Sequence, residues 1–71
     1  MKFAIVVGLV NGKLKLLDGP TEDVDAAFAY LEKLKKAGGI ISSGKTEKSE
    51  IKVSEIQIFH SKKGRIKKWK F

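Results

Sequence analysis

The sequence predicts a single small α+β domain whose elements follow the order ββαββ. An apolar run with two-residue alternation leads into Asn11-Gly12, a segment with helical periodicity follows, and strand-like alternation returns after Ile51. The chain has 71 residues, the size of one domain. We expect antiparallel hairpins with one amphipathic helix packed on one face of the sheet. The expected bounds are about 2–17 for the first hairpin, 21–38 for the helix, 42–50 for a polar loop and 51–71 for the second hairpin.

The first strand, over residues 3–10, is apolar on both faces, which is typical of a strand that is covered on both sides. One face carries Phe3, Ile5, Val7 and Leu9, and the other carries Ala4, Val6 and Val10. Asn11-Gly12 predicts a type I′ turn, because both central residues of that turn need positive φ. Such a turn pairs Val10 with Lys13, Leu9 with Leu14 and Val7 with Leu16. Leu14 and Leu16 then join the face of Phe3.

The helix is predicted from its caps and from one apolar stripe. Asp18-Gly19-Pro20 is expected to end the second strand, and Thr21 is expected to cap the helix. Acidic residues occupy the first turn and lysines the last, as the helix dipole favours, and Gly38-Gly39 terminates the helix. The stripe consists of Val24, Ala27, Phe28, Leu31 and Leu34. We expect it to pack on the Phe3, Ile5, Val7 and Leu9 face.

The second half of the chain predicts a second hairpin. Ile40-Ile41 is a short apolar pair, followed by a polar loop. The alternation changes phase between Val53 and Ile56, which predicts a bulge or bend near Ser54-Glu55. A turn over residues 61–64, with Gly64 in a left-handed conformation, leads to a last strand over 65–71. In an unbroken strand, Trp69 and Phe71 share a face with Arg65 and Lys67, while Ile66, Lys68 and Lys70 occupy the other.

One helix covers one face of a sheet, so the other apolar face needs a cover. The predicted helix leaves uncovered the face that carries Ala4, Val6, Val10 and Leu17. We therefore expect a homodimer through this second face. Small domains without disulfides or metals gain burial by associating. The alternatives are a curled sheet or Ile40-Ile41 folded over the face.

Composition excludes several classes of function. The chain has no cysteine, which removes disulfides, cysteine-based zinc sites and thiol catalysis, and favours an intracellular, cytoplasmic protein. The opening apolar run is followed by Asn11-Gly12-Lys13 rather than by a small-residue cleavage site, so we do not expect a signal peptide. The run is also too short to span a membrane.

No catalytic or cofactor site is predicted. Gly39 to Thr46 matches the phosphate-binding pattern G-x-x-x-x-G-K-[ST], but it follows a helix end and precedes a strand, whereas a working loop leaves a strand and enters a helix. His60 has no cysteine, second histidine or carboxylate near it in sequence. The acidic residues at the helix start are explained by the turn and the dipole. We therefore expect a non-enzymatic protein with no metal, cofactor, small-molecule substrate or membrane partner.

The charge asymmetry points to an anionic partner. Residues 45–71 carry nine basic and three acidic side chains, against six and five in residues 1–44. The predicted nucleic-acid-binding residues are Lys62, Lys63, Arg65, Lys67, Lys68, Trp69 and Lys70. The cations would contact phosphates of DNA or RNA and Trp69 would stack on a base.

Two structural alternatives stay open for the C-terminal segment. Its lysines could protect a solvated sheet edge while Trp69 and Phe71 anchor the core or an interface, or it could bind another anionic partner. The sequence lacks the signatures of an RRM, a KH domain or a zinc finger. The leading function is nucleic-acid binding through the C-terminal hairpin. The alternative is a protein-interaction or assembly module, with a homodimer through the second sheet face or the last strand.

Overall fold

The computed structural model describes residues 2–42 and 50–71, and it is a small α+β domain with an antiparallel sheet and one helix. Its elements are β1 (Ala4–Val10), β2 (Lys13–Thr21), α1 (Val24–Lys36), β3 (Ile40–Ser42), β4 (Glu50–Lys52), β5 (Glu55–His60) and β6 (Gly64–Lys70). The main sheet has the order β2-β1-β5-β6, and β3 pairs with β4 in a separate two-stranded sheet. The predicted class is confirmed. The predicted ββαββ order lacked the two short strands β3 and β4.

The first hairpin has the register that its turn predicts. Asn11 and Gly12 have φ of 53° and 80°, and Val10 pairs with Lys13, Leu9 with Leu14 and Val7 with Leu16. The predicted strand end at Asp18 is wrong, because β2 continues through Asp18-Gly19-Pro20 to Thr21. Two register shifts between β1 and β2 accommodate these residues. Since β2 lies at a sheet edge, a proline there leaves no interior ladder hydrogen bond unmade.

The helix packs on the opposite face of β1 from the one predicted. Ala27, Leu31 and Leu34 of α1 form the core with Ala4, Val6, Val10, Val53, Ile56 and Ile58. The residues of the face that was expected to be covered are instead partly or largely exposed, with 39% of Phe3, 59% of Leu14 and 57% of Leu16 accessible.

β5 lies next to β1 in the main sheet and extends both faces of β1. β5 places Ile58 opposite Val6 and Ile56 opposite Gly8, so the Ala4 face of β1 continues into two fully buried isoleucines. The Ile5 face of β1 instead meets Phe59, Gln57 and Glu55. α1 covers the Ala4 side of the sheet, where Val6, Ile56 and Ile58 are fully buried. The first hairpin alone does not contain this information.

The helix begins later than predicted, because β2 is longer. Asp23 is the N-cap residue, and its carboxylate accepts a hydrogen bond from the Asp25 amide at 3.0 Å. Thr21, the predicted cap, accepts a hydrogen bond from the Asp23 amide at 3.1 Å. The predicted stop is confirmed: α1 ends at Lys36, and Gly38 and Gly39 have φ of 68° and 83°.

The predicted phase change is a bend at Ser54 between strands of two different sheets. Val53 is fully buried and its amide donates to the Gly39 carbonyl at 2.8 Å, while the Ser54 amide donates to the Leu9 carbonyl at 3.0 Å. The Ile40-Ile41 pair forms β3, and Ile41 packs against the core that contains Ala4, Val6 and Val10.

The residues that follow Gly39 form this antiparallel strand instead of the start of a helix, unlike a phosphate-binding loop. Gly44, Lys45 and Thr46 of that pattern, and most of the polar loop predicted over 42–50, lie outside the described residues.

Candidate functional site

The predicted basic residues lie on an edge strand and on the turn that precedes it. β6 is the last strand of the main sheet, and Lys62 and Lys63 lie in the turn between β5 and β6. A register shift between Ile58 and Phe59 places Arg65 opposite Phe59 and Lys67 opposite Ile58. Lys68, Trp69 and Lys70 then follow regular alternation.

This bulge divides the cations differently from the predicted strand. Arg65, Lys68 and Lys70 pair with Phe59, Gln57 and Glu55, and therefore lie on the side of the sheet away from α1. Lys67 and Trp69 pair with Ile58 and Ile56, on the side of α1. The prediction that Arg65 and Lys67 share a face is wrong, because a bulge inserts one extra residue and reverses the parity beyond it. Cations consequently occupy both sides of the β6 edge.

The turn is held by backbone and side-chain hydrogen bonds. The Ser61 amide donates to the Phe3 carbonyl at 2.8 Å, and the Phe3 amide donates to Ser61 Oγ at 3.1 Å. His60 Nδ1 accepts from the Lys62 amide at 3.1 Å. Gly64 has φ of 73°, the left-handed conformation expected there. These hydrogen bonds hold the backbone of the turn that carries Lys62 and Lys63, and His60 provides one of them.

Trp69 lies on the helix side of β6 and contacts the helix. Its cross-strand partner is the fully buried Ile56, and the Lys35 ammonium lies 4.0 Å from the ring centroid. Lys35 also pairs with Glu32 at 3.2 Å. A cation thus occupies one face of the indole, while 37% of Trp69 remains accessible. Sequence alternation missed this contact, because it contains no information on where the C-terminal turn of α1 lies.

Phe71 also packs on the helix side. Its amide donates to the Ser54 carbonyl at 3.1 Å, and a Cβ placed on Gly39 would lie 3.0 Å from Phe71 Cγ. Gly39 therefore leaves room for the ring. Trp69 and Phe71 remain 37% and 41% exposed, so the alternative in which they anchor a buried core is not confirmed.

Glu55 is the one acidic side chain on the sheet side that carries Arg65, Lys68 and Lys70, within the part of the chain that the structure describes. It is 8% exposed, accepts a hydrogen bond from Gln57 Nε2 at 2.8 Å, and lies 3.7 Å from Lys68 Nζ. The Gln57 hydrogen bond and the charges of Lys68 and Lys70 outweigh its partial desolvation and lower the pKa of Glu55. Of the cations from Lys62 to Lys70, Lys68 alone has an ion-pair partner among the described residues.

The side of the sheet away from α1 also carries an apolar surface, which we call the open apolar face. It consists of Phe3, Ile5, Val7, Leu9, Leu14, Leu16 and Phe59. Its center lies on β1 and β2, whereas the cations of this side lie on β6 at the other end of the strand order. This side of the sheet therefore has an apolar half and a basic edge.

A small pocket of about 290 Å³ lies beside the C-terminal end of α1. It is lined by Tyr30, Lys33, Leu34, Ala37, Ile40 and Ile41. Burial, and secondarily the charge of Asp18, raises the pKa of Tyr30. The pocket borders β3, after which residues 43–49 are not described, so it supports no site here.

Residues 2–42 and 50–71 contain neither a metal-binding cluster nor a membrane-spanning helix. No cluster of three or more histidine, cysteine or acidic side chains is placed to hold a metal ion. No helix in these ranges has the length and apolar character needed to cross a bilayer.

Comparison with known proteins adds no family. No protein-family model, curated protein or solved structure matches the chain.

Proposed function

We propose that this domain is a non-enzymatic nucleic-acid-binding protein that contacts phosphates along the β6 edge and its turn. The observation that carries the proposal is the concentration of six cations and no acidic residue between Lys62 and Lys70 on one edge strand and its turn. Cations arranged in this way bind the phosphate backbone through release of its counterions.

The spacing of the cations supports contact with a chain of phosphates. Lys68 and Lys70 lie on the same side of β6 two residues apart, and side chains at that spacing are about 6.6 Å apart along a strand. Arg65 extends this row toward the turn, and Lys67 lies on the opposite side of the same strand. A single nucleic-acid strand that follows β6 would therefore meet cations along its whole length.

Within this proposal the predicted residues have different roles. The proposed phosphate contacts are Lys62, Lys63, Arg65, Lys67 and Lys70. Lys68 forms an ion pair with Glu55, so it is less available to a phosphate. Trp69 was predicted to stack on a base. Because Lys35 lies over one face of the ring, a base could contact only the part that remains accessible. We therefore expect affinity to depend on the cations more than on the indole, with little base specificity.

The test is fluorescence anisotropy with labelled single-stranded and duplex oligonucleotides between 50 and 200 mM salt, the range over which affinity based on phosphate contacts falls steeply. If three to five cations contact phosphate, the slope of log K against log salt for a single strand is about −2 to −3.5. No binding at 50 mM salt would refute the proposal.

A charge-matched pair of variants then locates the site. The first carries Arg65→Gln, Lys67→Gln and Lys70→Gln, and the second carries Lys2→Gln, Lys13→Gln and Lys15→Gln. Each loses three positive charges, but the second changes the N-terminal hairpin and leaves β6 intact. We expect the first to lose binding and the second to retain most of it. Equal losses would show that net charge, not the β6 edge, determines affinity.

A second candidate function is a protein-interaction or assembly module. The observation that favours it is the open apolar face, where Leu14 and Leu16 are more than half exposed on an otherwise regular sheet. Exposed apolar patches rimmed by polar residues mark interaction sites.

A further inference from the structure

We propose that the open apolar face is the interface between two copies of this chain, packed face to face with β1 and β2 of one copy over β2 and β1 of the other. This surface is the opposite side of β1 from the one that the sequence indicated for a dimer. The proposal does not depend on nucleic-acid binding.

The first argument concerns what could cover the face from within this sequence. α1 and its apolar stripe pack on the other side, and Ile41 packs against the same core. The segment that the structure leaves undescribed, residues 43–49, is Ser-Gly-Lys-Thr-Glu-Lys-Ser and contains no apolar side chain. It therefore cannot supply an apolar cover for Leu14, Leu16 and Phe3.

The second argument is the distribution of charge on this side of the sheet. The apolar residues are centered on β1 and β2, and Arg65, Lys68 and Lys70 lie at the β6 end. A two-fold axis parallel to the strands, near β1 and β2, superposes the two apolar halves and moves the two β6 edges to opposite ends. An axis perpendicular to the strands would instead stack β6 on β6 and bring like charges together. The face is thus self-complementary in one arrangement and repulsive in the other.

The third argument excludes the competing contact through the β2 edge. A free edge strand can pair with a copy of itself, but β2 carries Lys13 and Lys15, contains Pro20 and has two register shifts against β1. Lysine, proline and bulges are the features that prevent edge pairing. Association through the open apolar face does not require pairing of the β2 edge. It buries the apolar side chains of that face, which pairing through the edge would leave exposed.

The size of the face predicts the strength of the dimer. The two overlapping strands, about 4.8 Å apart and about 20 Å long, give a flat projection of roughly 200 Å². That is below the roughly 800 Å² per partner of a standard stable interface, and side-chain relief only partly closes the difference. We therefore expect a dimer that dissociates in the micromolar range.

The test is the molar mass as a function of concentration, by light scattering and sedimentation equilibrium from about 1 to 500 µM, which brackets that range. The wild-type mass should rise from 7.9 kDa toward twice that value. Leu16→Lys should remain at the monomer mass throughout, since Leu16 is 57% exposed in the single copy and its replacement removes apolar contact without emptying the core. Circular dichroism at low concentration checks that this variant melts as the wild type does.

The matched control is Ile51→Lys, which also replaces an exposed aliphatic residue by lysine but lies on β4 outside the main sheet. It should associate like the wild type. Arg65→Glu tests the arrangement, because a residue at the remote β6 end should change the dissociation constant less than twofold. A wild-type mass of 7.9 kDa up to 500 µM, or wild-type association of Leu16→Lys, would overturn the proposal, and a large effect of Arg65→Glu would overturn the β1/β2 arrangement.

Discussion

Gly8 provides a sharp test of how the helix side of the sheet is packed, through the substitution Gly8→Ala. A Cβ at this position would lie 2.5 Å from Leu17 Cδ1 and 2.9 Å from Val53 Cγ1. Optimal carbon contacts are about 3.5–4.0 Å, so the neighbours must move by about 1 Å. Leu17 is half-buried and its terminal methyl can rotate, whereas Val53 is fully buried and β-branched.

The expected magnitude follows from two opposed effects. Overpacking in a core costs about 1–3 kcal/mol, while replacing glycine by alanine within a strand recovers about 0.5–1 kcal/mol of backbone entropy. We expect Gly8→Ala to lower the free energy of unfolding by up to about 2.5 kcal/mol, the largest difference between these two effects. For a domain of this size each kcal/mol shifts Tm by about 4–8 °C.

The assay is urea and thermal unfolding followed by circular dichroism, in the wild type and in a Leu17→Ala background. Because Leu17→Ala removes the closest neighbour, Gly8→Ala should cost less there, with a coupling on the order of 0.5–2 kcal/mol in the double-mutant cycle. If Gly8→Ala raises Tm, or if its cost is the same in both backgrounds, then the crowding of Gly8 by Leu17 is not what keeps glycine at this position.

Two further predictions concern the core and Glu55. Ile58→Val should lower the free energy of unfolding by about 0.5–1.5 kcal/mol, while the same change at the 37% exposed Ile51 should cost less, as measured by urea unfolding; equal costs would contradict the assignment of the helix to the Ile58 side. The lowered pKa of Glu55 means that its stabilising contribution is fully present above the ordinary glutamate pKa of about 4.3 and is lost as pH falls through the lower folded-state pKa. Glu55→Gln should therefore be less stable than the wild type at pH 7 and converge with it in acid, and Gln57→Ala should raise the Glu55 pKa in an NMR titration; a stability difference that is independent of pH would contradict this reasoning.

The sequence was sufficient wherever the determining interaction is local. The type I′ turn at Asn11-Gly12 and the pairing of Leu9 with Leu14 depend on two residues and on strand geometry, and the helix stop depends on Gly38-Gly39. The class of fold follows from these features. The bend near Ser54 was also predictable from the sequence, because the alternation of the apolar residues changes phase there.

The rest depended on contacts between distant segments. α1 packs on the side of the sheet where β5 places Ile58 and Ile56 beside Val6 and Gly8, and sequence pattern does not reveal that β5 pairs with β1. β3 and β4 are each three residues long, which is too short for an alternating pattern to be recognised in the sequence. The orientation of Arg65 depends on a bulge whose position no residue type marks.

The β6 bulge bears on how two copies can meet. It places Arg65, Lys68 and Lys70 on one side of the edge strand and Lys67 on the other, so that neither side is free of positive charge. If β6 paired with a second β6 along this edge, lysines of the two copies would lie directly opposite or diagonal to one another, an arrangement that destabilises a ladder. An interface through the last strand is therefore opposed by the same residues that favour contact with phosphate, and the uncharged surface that remains for a second copy is the open apolar face. The proposed nucleic-acid binding at the edge and the proposed association through the face use different residues of one sheet. Leu16→Lys and the Arg65, Lys67 and Lys70 variant should therefore each remove one property and leave the other.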